Sequence, residues 1–230
     1  MRRLRAGDRS SRGAPVADTT PKQIVEHGFD EIADRFAVWQ QRIPDETRLR
    51  YLADLLELLP KRPDVLELGV GAGVQSSRIL AERGRLTGVD ISRQQLRRAR
   101  ERLPNATLIH GDFTSVELPR ATFDAVVSFY VLNNLPQEEL APLLRRVADW
   151  LRPGGWFLAS FPSSDNPGWR GEWLGTEMYF AGCEPTTNRR LTEEAGLEVA
   201  RDEFETMIEP EGEVRWQWLL ARRGADQPRR

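Results

Sequence analysis

Glu67, Asp90 and Asp112 each stand at the close of a short apolar run, and Gly69, Gly71 and Gly73 follow the first of them at alternate positions. Carboxylates at strand ends accept hydrogen bonds from hydroxyls and amines, and glycines without a Cβ let the backbone approach a bound molecule. The grouping is that of a small-molecule cradle. Val65-Leu66-Glu67-Leu68-Gly69-Val70-Gly71-Ala72-Gly73 reads as a buried strand breaking into a glycine turn that opens a helix.

A dinucleotide turn has the spacing GxGxxG, its third glycine packing helix against strand beside a pyrophosphate. Here that position is Val74, and Glu67, two residues before the first glycine, would repel a diphosphate and attract a cationic group. Residues 73–81 have helical spacing, Gly84 fits a helix-ending position, and residues 85–90 read as a second strand closed by Asp90. An acid placed there, 23 residues after Glu67, lies beside the first glycine turn of a βαβ unit and accepts ribose hydroxyls. Dehydrogenases share that acid, so it implies an adenosine-type ligand without choosing a cofactor.

The elements that position these groups follow from periodicity. Ser92 and Gln95 form a capping-box pattern ahead of a helix with Leu96, Ala99 and Leu103 on its apolar face. A third strand, 106–110, ends in His110-Gly111-Asp112-Phe113. The fourth, 123–130, is the nearly unbroken apolar run of a parallel sheet covered on both faces, and it continues as Val131-Leu132-Asn133-Asn134-Leu135-Pro136. A helix bearing Leu140, Leu143, Leu144, Val147 and Leu151 leads through Arg152-Pro153-Gly154-Gly155 to a fifth strand, 156–161. A helix over 187–195, capped by Thr186 or Thr187 and closed by Gly196, precedes strands 197–205 and 214–222. In the last strand Val214, Trp216, Trp218 and Leu220 alternate with polar residues, a pattern of sheet-face packing.

The strand ending in ExGxGxG resembles motif I of the class I S-adenosylmethionine (SAM) methyltransferases, with small-molecule enzymes of the ubiquinone and menaquinone type the nearest in character. His110-Gly111-Asp112-Phe113 resembles that family's adenine site, with Asp112 receiving the exocyclic amine and Phe113 lying along the base. The string after the fourth strand resembles the motif whose backbone receives the methionyl amino group, and Leu-Arg-Pro-Gly-Gly before an apolar strand is also similar. The resemblance covers roughly residues 29–222. It implies an α/β, Rossmann-like, doubly wound seven-stranded sheet, mostly parallel with an antiparallel last strand and helices on both faces. It implies SAM as cofactor and S-adenosylhomocysteine (SAH) as product. Glu67, Gly69, Gly71, Gly73, Asp90, Ile91, Gly111, Asp112, Phe113, Ser128 and Phe129 form the implied cofactor set.

One domain is expected over 21–225, after a leader 1–20 expected to be disordered and before a flexible tail 226–230. Within it, 21–60 reads as a helical cap, with helices over 21–42 and, behind Asp45, over 46–59. Phe29-Asp30-Glu31-Ile32-Ala33-Asp34-Arg35-Phe36 resembles the segment such enzymes fold over the cofactor. Where tyrosines are frequent, Phe29 and Phe36 offer only rings, so core packing stands beside cofactor contact, and Arg35 is a candidate for the methionyl carboxylate. Residues 162–185 are the least regular part and hold Trp169, Trp173, Tyr179 and Phe180 among four glycines. They are expected to form an acceptor lid or to pack against the N-terminal helices or a second subunit.

In-line methyl transfer needs no metal and no covalent intermediate, and alignment of donor and acceptor contributes on the order of 7–11 kcal/mol. Candidate catalytic groups are His27 on the N-terminal helix, Tyr130 just past the fourth strand, and Tyr179 in the lid beside Glu172 and Glu177. His110, beside the implied adenine site, reads as structural or cofactor-side rather than as the base. Proximity with weak base assistance is the expected mechanism. There is no NPPY-type tetrapeptide for a flipped base, no zinc-ligand spacing and no paired-glutamate hairpin of the protein-arginine type, which leaves a small organic acceptor as the best fit. The element methylated is not written in the sequence, and transfer to O or N is the leading expectation. A non-catalytic SAM- or SAH-binding protein is the alternative. A nicotinamide oxidoreductase ranks lower because of Val74, Glu67 and Asp112.

The formal charge of −2 over 230 residues supplies no global basic field for nucleic acid, and no apolar run approaches a membrane span. The single cysteine, Cys183, excludes an intrachain disulfide and fits a reducing cytoplasm; a monomer or homodimer is expected.

Overall fold

The computed structural model describes residues 19–224. Most of the expected leader and the whole expected tail lie outside them, but Thr20 does not. Its hydroxyl accepts from Gln23 N–H while the Gln23 amide bonds back, and Pro21 follows at the first helical position, so α1 (Pro21–Glu31) starts on a complete capping box. The single helix expected over 21–42 is broken. Ile32, wholly buried, leaves helical geometry at ψ 4° and the chain restarts as α2 (Ala33–Gln40). α3 (Glu46–Leu58) follows, and Asp45 turns its carboxylate to Arg48 instead of capping it.

β1 (Asp64–Leu68) is buried at all five residues. It is followed by α4 (Gln75–Arg83), β2 (Arg85–Asp90), α5 (Arg93–Arg102), β3 (Thr107–His110) and β4 (Phe123–Ser128). A 3-10 turn at Leu132–Asn134 leads to α6 (Gln137–Trp150) and β5 (Leu151–Pro162). The stretch read as irregular is a β-hairpin, β6 (Asn166–Trp173) and β7 (Thr176–Gly182), forming its own two-stranded sheet. α7 (Pro185–Glu194) starts two residues before the expected helix, because Pro185 takes the first helical position after Glu184 and displaces the threonine cap. β8 (Leu197–Glu209) and β9 (Gly212–Arg223) close the fold.

The main sheet has seven strands in the order β3-β2-β1-β4-β5-β9-β8. β1 to β5 run parallel; β9, the last strand, is antiparallel to both β5 and β8 and lies between them. Side chains alternate across the sheet, so each strand feeds two cores. Val65, Val127 and Leu158 pack under Leu52 and Leu55 of α3, Leu80 of α4 and Leu96 of α5. Leu66, Leu68, Val126 and Phe157 pack under Leu140, Leu144 and Val147 of α6. Strand order reverses between β1 and β4, and in a doubly wound sheet that reversal opens a crevice at the strands' C-terminal ends.

Candidate functional site

The crevice is occupied by the glycine turn. Gly69, Gly71 and Gly73 have φ of 72°, 55° and 69°, which explains their chemical identity without a ligand. The turn is fastened to β2: Gly69 and Val70 N–H donate to the Val89 carbonyl (2.8 and 3.1 Å), and Gly71 N–H donates to Asp90 Oδ2 (2.8 Å). The three glycines nevertheless differ in surroundings. A Cβ on Gly69 would strike Val131, and one on Gly73 would lie 2.8 Å from Leu103 Cδ1, whereas one on Gly71 would meet no atom within 4 Å.

Gly71 lines a cavity of about 390 Å³ that also touches Glu67, Asp90, Ile91, Asp112, Phe113 and Phe129. The register Glu67↔Gly88 and Asp90↔His110 brings the three acids to one rim. Glu67 is buried; its Oε1 accepts from Ser77 Oγ (3.0 Å) and its Oε2 has no partner. Burial pushes this carboxyl up to about 7, against the smaller pull of Ser77 and Arg48. Burial likewise raises Asp90 to about 6, although it accepts from both Gly71 and Ser92 N–H.

Asp112 is also partly desolvated, but the Lys22 ammonium at 2.6 Å and two bonds from Thr114 outweigh burial and hold it below the usual carboxylate range. Lys22 comes from α1, which thereby lies across the Asp112 side of the rim.

Three further cavity residues carry unpartnered buried atoms, Asn133 Oδ1, Gln95 Nε2 and Trp216 Nε1. Gln95 was expected to bond back to Ser92, but Ser92 N–H is held by Asp90 Oδ1 (2.8 Å), which leaves the amide for the cavity wall. Glu67 and Asn133 thus offer acceptors and Gln95 a donor, and with the open space above Gly71 they fit a ligand that brings both an ammonium and hydroxyls.

The cavity continues beyond this rim into an aromatic chamber. Tyr130, at φ 57°, is a strained non-glycine residue whose N–H donates to Ser160 Oγ (2.7 Å). Its ring stands edge-on to Trp216 (4.9 Å), with the Arg48 guanidinium 5.6 Å away. Phe36 and Trp39 of α2 meet Trp173 of β6 at 5.9 and 5.2 Å, and Trp173 meets Phe180 of β7 at 5.6 Å. The expected lid therefore lines the cavity and packs on the N-terminal helices at once.

Residues 65–155 match the family model described as a methyltransferase domain. An uncharacterized methyltransferase of Mycobacterium tuberculosis is 39% identical over 93 residues, covering 40% of this chain and 46% of that protein. A dTDP-3-amino-3,4,6-trideoxy-alpha-D-glucopyranose N,N-dimethyltransferase of Streptomyces venezuelae is 34% identical over 124 residues, 51% of this chain and 52% of that one. The chain spans about half the length of these curated relatives. The CcbJ methyltransferase from Streptomyces caelestis has the same fold, with a TM-score of 0.66 at 20% identity over 87% of this chain and 99% of that one. Residues 65–155 thus match a methyltransferase domain, and the chain has the fold of SAM-dependent methyltransferases.

Within this methyltransferase domain the expected cofactor set divides. Gly73 packs against α5, Ser128 is wholly buried in β4, and Gly111 donates its N–H to the Asp90 carbonyl (2.9 Å); none of the three lines the cavity. Of the catalytic candidates only Tyr130 lines it, and burial raises its phenol above the ordinary tyrosine value. His27 is exposed and paired with Glu31 at 3.6 Å. The Tyr179 ring packs with Ile24, Val25 and Ala181 behind the lid.

Arg35 pairs with Glu31 (3.6 Å) outside the cavity, and His110 bonds the Ile91 carbonyl (2.9 Å). Trp216, expected as sheet packing, is a cavity wall. Arg48, Gln95 and Glu209 are cavity residues that sequence reasoning passed over. Among the described residues no cluster of three or more metal-ligating side chains exists, and no helix is long and apolar enough to cross a membrane.

Proposed function

We propose that this protein transfers a methyl group from SAM to an O or N atom of a small organic acceptor. The observation that carries the reading is the meeting of Glu67, Asp90 and Asp112 on one cavity that runs on into the aromatic chamber. Asp90 would accept ribose hydroxyls, for each of its oxygens has taken one backbone donor and retains a free lone pair. Asp112 and Phe113 would hold the adenine, Glu67 and Asn133 the methionyl ammonium, and Arg48 its carboxylate in place of Arg35. The cofactor supplies an electrophilic methyl group on a sulfonium. What the chain must do is align an acceptor with it and keep water out, and the chamber formed by α2, the β6–β7 hairpin and Tyr130 suits that task.

A chamber continuous with the cofactor rim favours an enzyme over a binder without turnover. Titration calorimetry with SAM, SAH and NAD tests the proposal. Binding of both sulfur nucleosides and no NAD is expected, and binding of NAD alone would overturn it.

A further inference from the structure

The acceptor chamber has a charge pattern that selects among small molecules. Four pieces of chain enclose it: α2 with Phe36 and Trp39, the β6–β7 hairpin with Trp173, the β8–β9 hairpin with Glu209 and Trp216, and Tyr130. The β8–β9 tip is drawn onto α2, because Trp39 Nε1 donates to both oxygens of Glu211 (3.1 and 3.0 Å). Along β8 the residues Glu205, Met207 and Glu209 share one face, and the first is taken by Arg50 and Tyr51.

The carboxylate of Glu209, a half-buried residue on the cavity wall, has no hydrogen-bond or ion-pair partner among the described residues. The cations nearby are already engaged. Arg48 is bonded to Asp45 (2.6 Å), and the Arg215 guanidinium lies 4.2 Å over the Phe204 ring. The chamber therefore joins aromatic faces to one unneutralised carboxylate, a combination that attracts organic cations.

We propose that the acceptor is a primary or secondary amine, received as its ammonium ion between Glu209 and the rings of Tyr130, Trp39, Trp173 and Trp216, with Glu209 as the base that removes the proton. This rests on the SAM reading above and narrows its acceptor to nitrogen. One N–H proton passes to the Glu209 carboxylate, freeing the nitrogen lone pair. The lone pair forms a bond to the methyl carbon while the carbon–sulfur bond breaks, its electrons going to sulfur. The methylated ammonium and SAH leave, and Glu209 releases its proton to solvent. Burial, and next Glu211, raise Glu209 to about 7, in the range where a carboxylate works as a general base near neutrality. Its positions in sequence, among acids of both phases on β8, gave no hint of this role.

The test uses the full chain loaded with SAH and follows tryptophan fluorescence on titration with benzylamine, benzyl alcohol and benzoate. Benzylamine is expected to bind about tenfold more tightly than benzyl alcohol, a margin of about 1.4 kcal/mol. Glu209→Gln should erase that preference with SAH affinity unchanged, and Trp39→Leu should weaken amine binding. In parallel, a mixed set of amines and alcohols incubated with SAM should yield N-methyl products alone. Equal or stronger binding of the alcohol or benzoate, amine preference retained in Glu209→Gln, or an O-methyl product would each overturn the amine assignment while leaving SAM dependence intact. Failure of SAH itself to bind overturns the cofactor reading, and the inference with it.

Discussion

Lys22 Nζ lies 2.6 Å from Asp112 Oδ2, and the same ammonium reaches Thr114 Oγ1 and Glu139. One side chain of the N-terminal cap thus joins α1 to the end of β3 and the first turn of α6, at the acid proposed to meet adenine. It is one of only two lysines in the chain, so its position stands out once the fold is known.

With adenine held at Asp112 as proposed, this contact should act as a clamp that slows cofactor exit. Lys22→Met should speed amide exchange in α1 and raise the SAH dissociation rate roughly 2- to 5-fold, as befits a partly exposed pair worth about 0.5–1 kcal/mol. Hydrogen exchange and stopped-flow displacement measure the two effects. Unaltered exchange together with an unaltered off-rate would remove the clamp.

Asp90 fastens the glycine turn and is also the acid proposed to meet the ribose. Asp90→Ala leaves Gly71 and Ser92 N–H without their acceptor, so the protein should lose about 1–3 kcal/mol of stability and SAM binding a similar amount. Thermal melts and calorimetry read the two losses separately, and full SAM affinity in a folded variant would end the ribose assignment.

What was readable in the sequence was the part governed by local patterns. β1 and β4 are short apolar runs buried on both faces, and the glycine turn betrays itself through residues that must take positive φ. The β6–β7 hairpin was hidden because Gly168, Gly171 and Gly175 interrupt its alternation and a register shift falls between Asn166 and Trp169. The break at Ile32 leaves helical apolar spacing intact on both sides, so periodicity could not mark it.

The site residues that escaped notice did so for equally physical reasons. Arg48 is one of 31 arginines, two lysines accounting for the rest of the 33 basic residues. Gln95 matched a cap whose backbone donor is taken by Asp90. His27 attracted attention by residue type, but α1 turns its buried face, with Ile24, Val25 and Gly28, toward the lid and leaves the imidazole in solvent.

Gly71 and Gly73 should respond differently to the same methyl group. Alanine at Gly71 costs the left-handed backbone penalty of about 1–2 kcal/mol, yet finds open space. It should fold and lose SAM binding because its Cβ enters the cradle. Alanine at Gly73 would press on Leu103 and on the Ala99 backbone, so it should lower the melting temperature further while any folded fraction binds SAM normally. Equal binding by the two variants would show that Gly71 does not face the cofactor.

Glu67 and Asp90 are held near 7 and 6 by burial, above the ordinary carboxylate range, so the folded protein prefers them protonated. Their contribution to stability is complete at pH below about 4 and is lost as pH rises through 6 and 7. The ligand requires the opposite state, since its cationic groups are attracted to ionised Glu67. SAM affinity should therefore climb between pH 5.5 and 8, by up to about tenfold per unit below 7, while the unliganded protein loses stability over the same interval. Glu67→Gln should flatten much of the affinity slope and weaken SAM at pH 8. Calorimetry and melting across this range separate the two trends, and SAM affinity that is level or falling with pH would reject Glu67 as the seat of the ligand's positive charge.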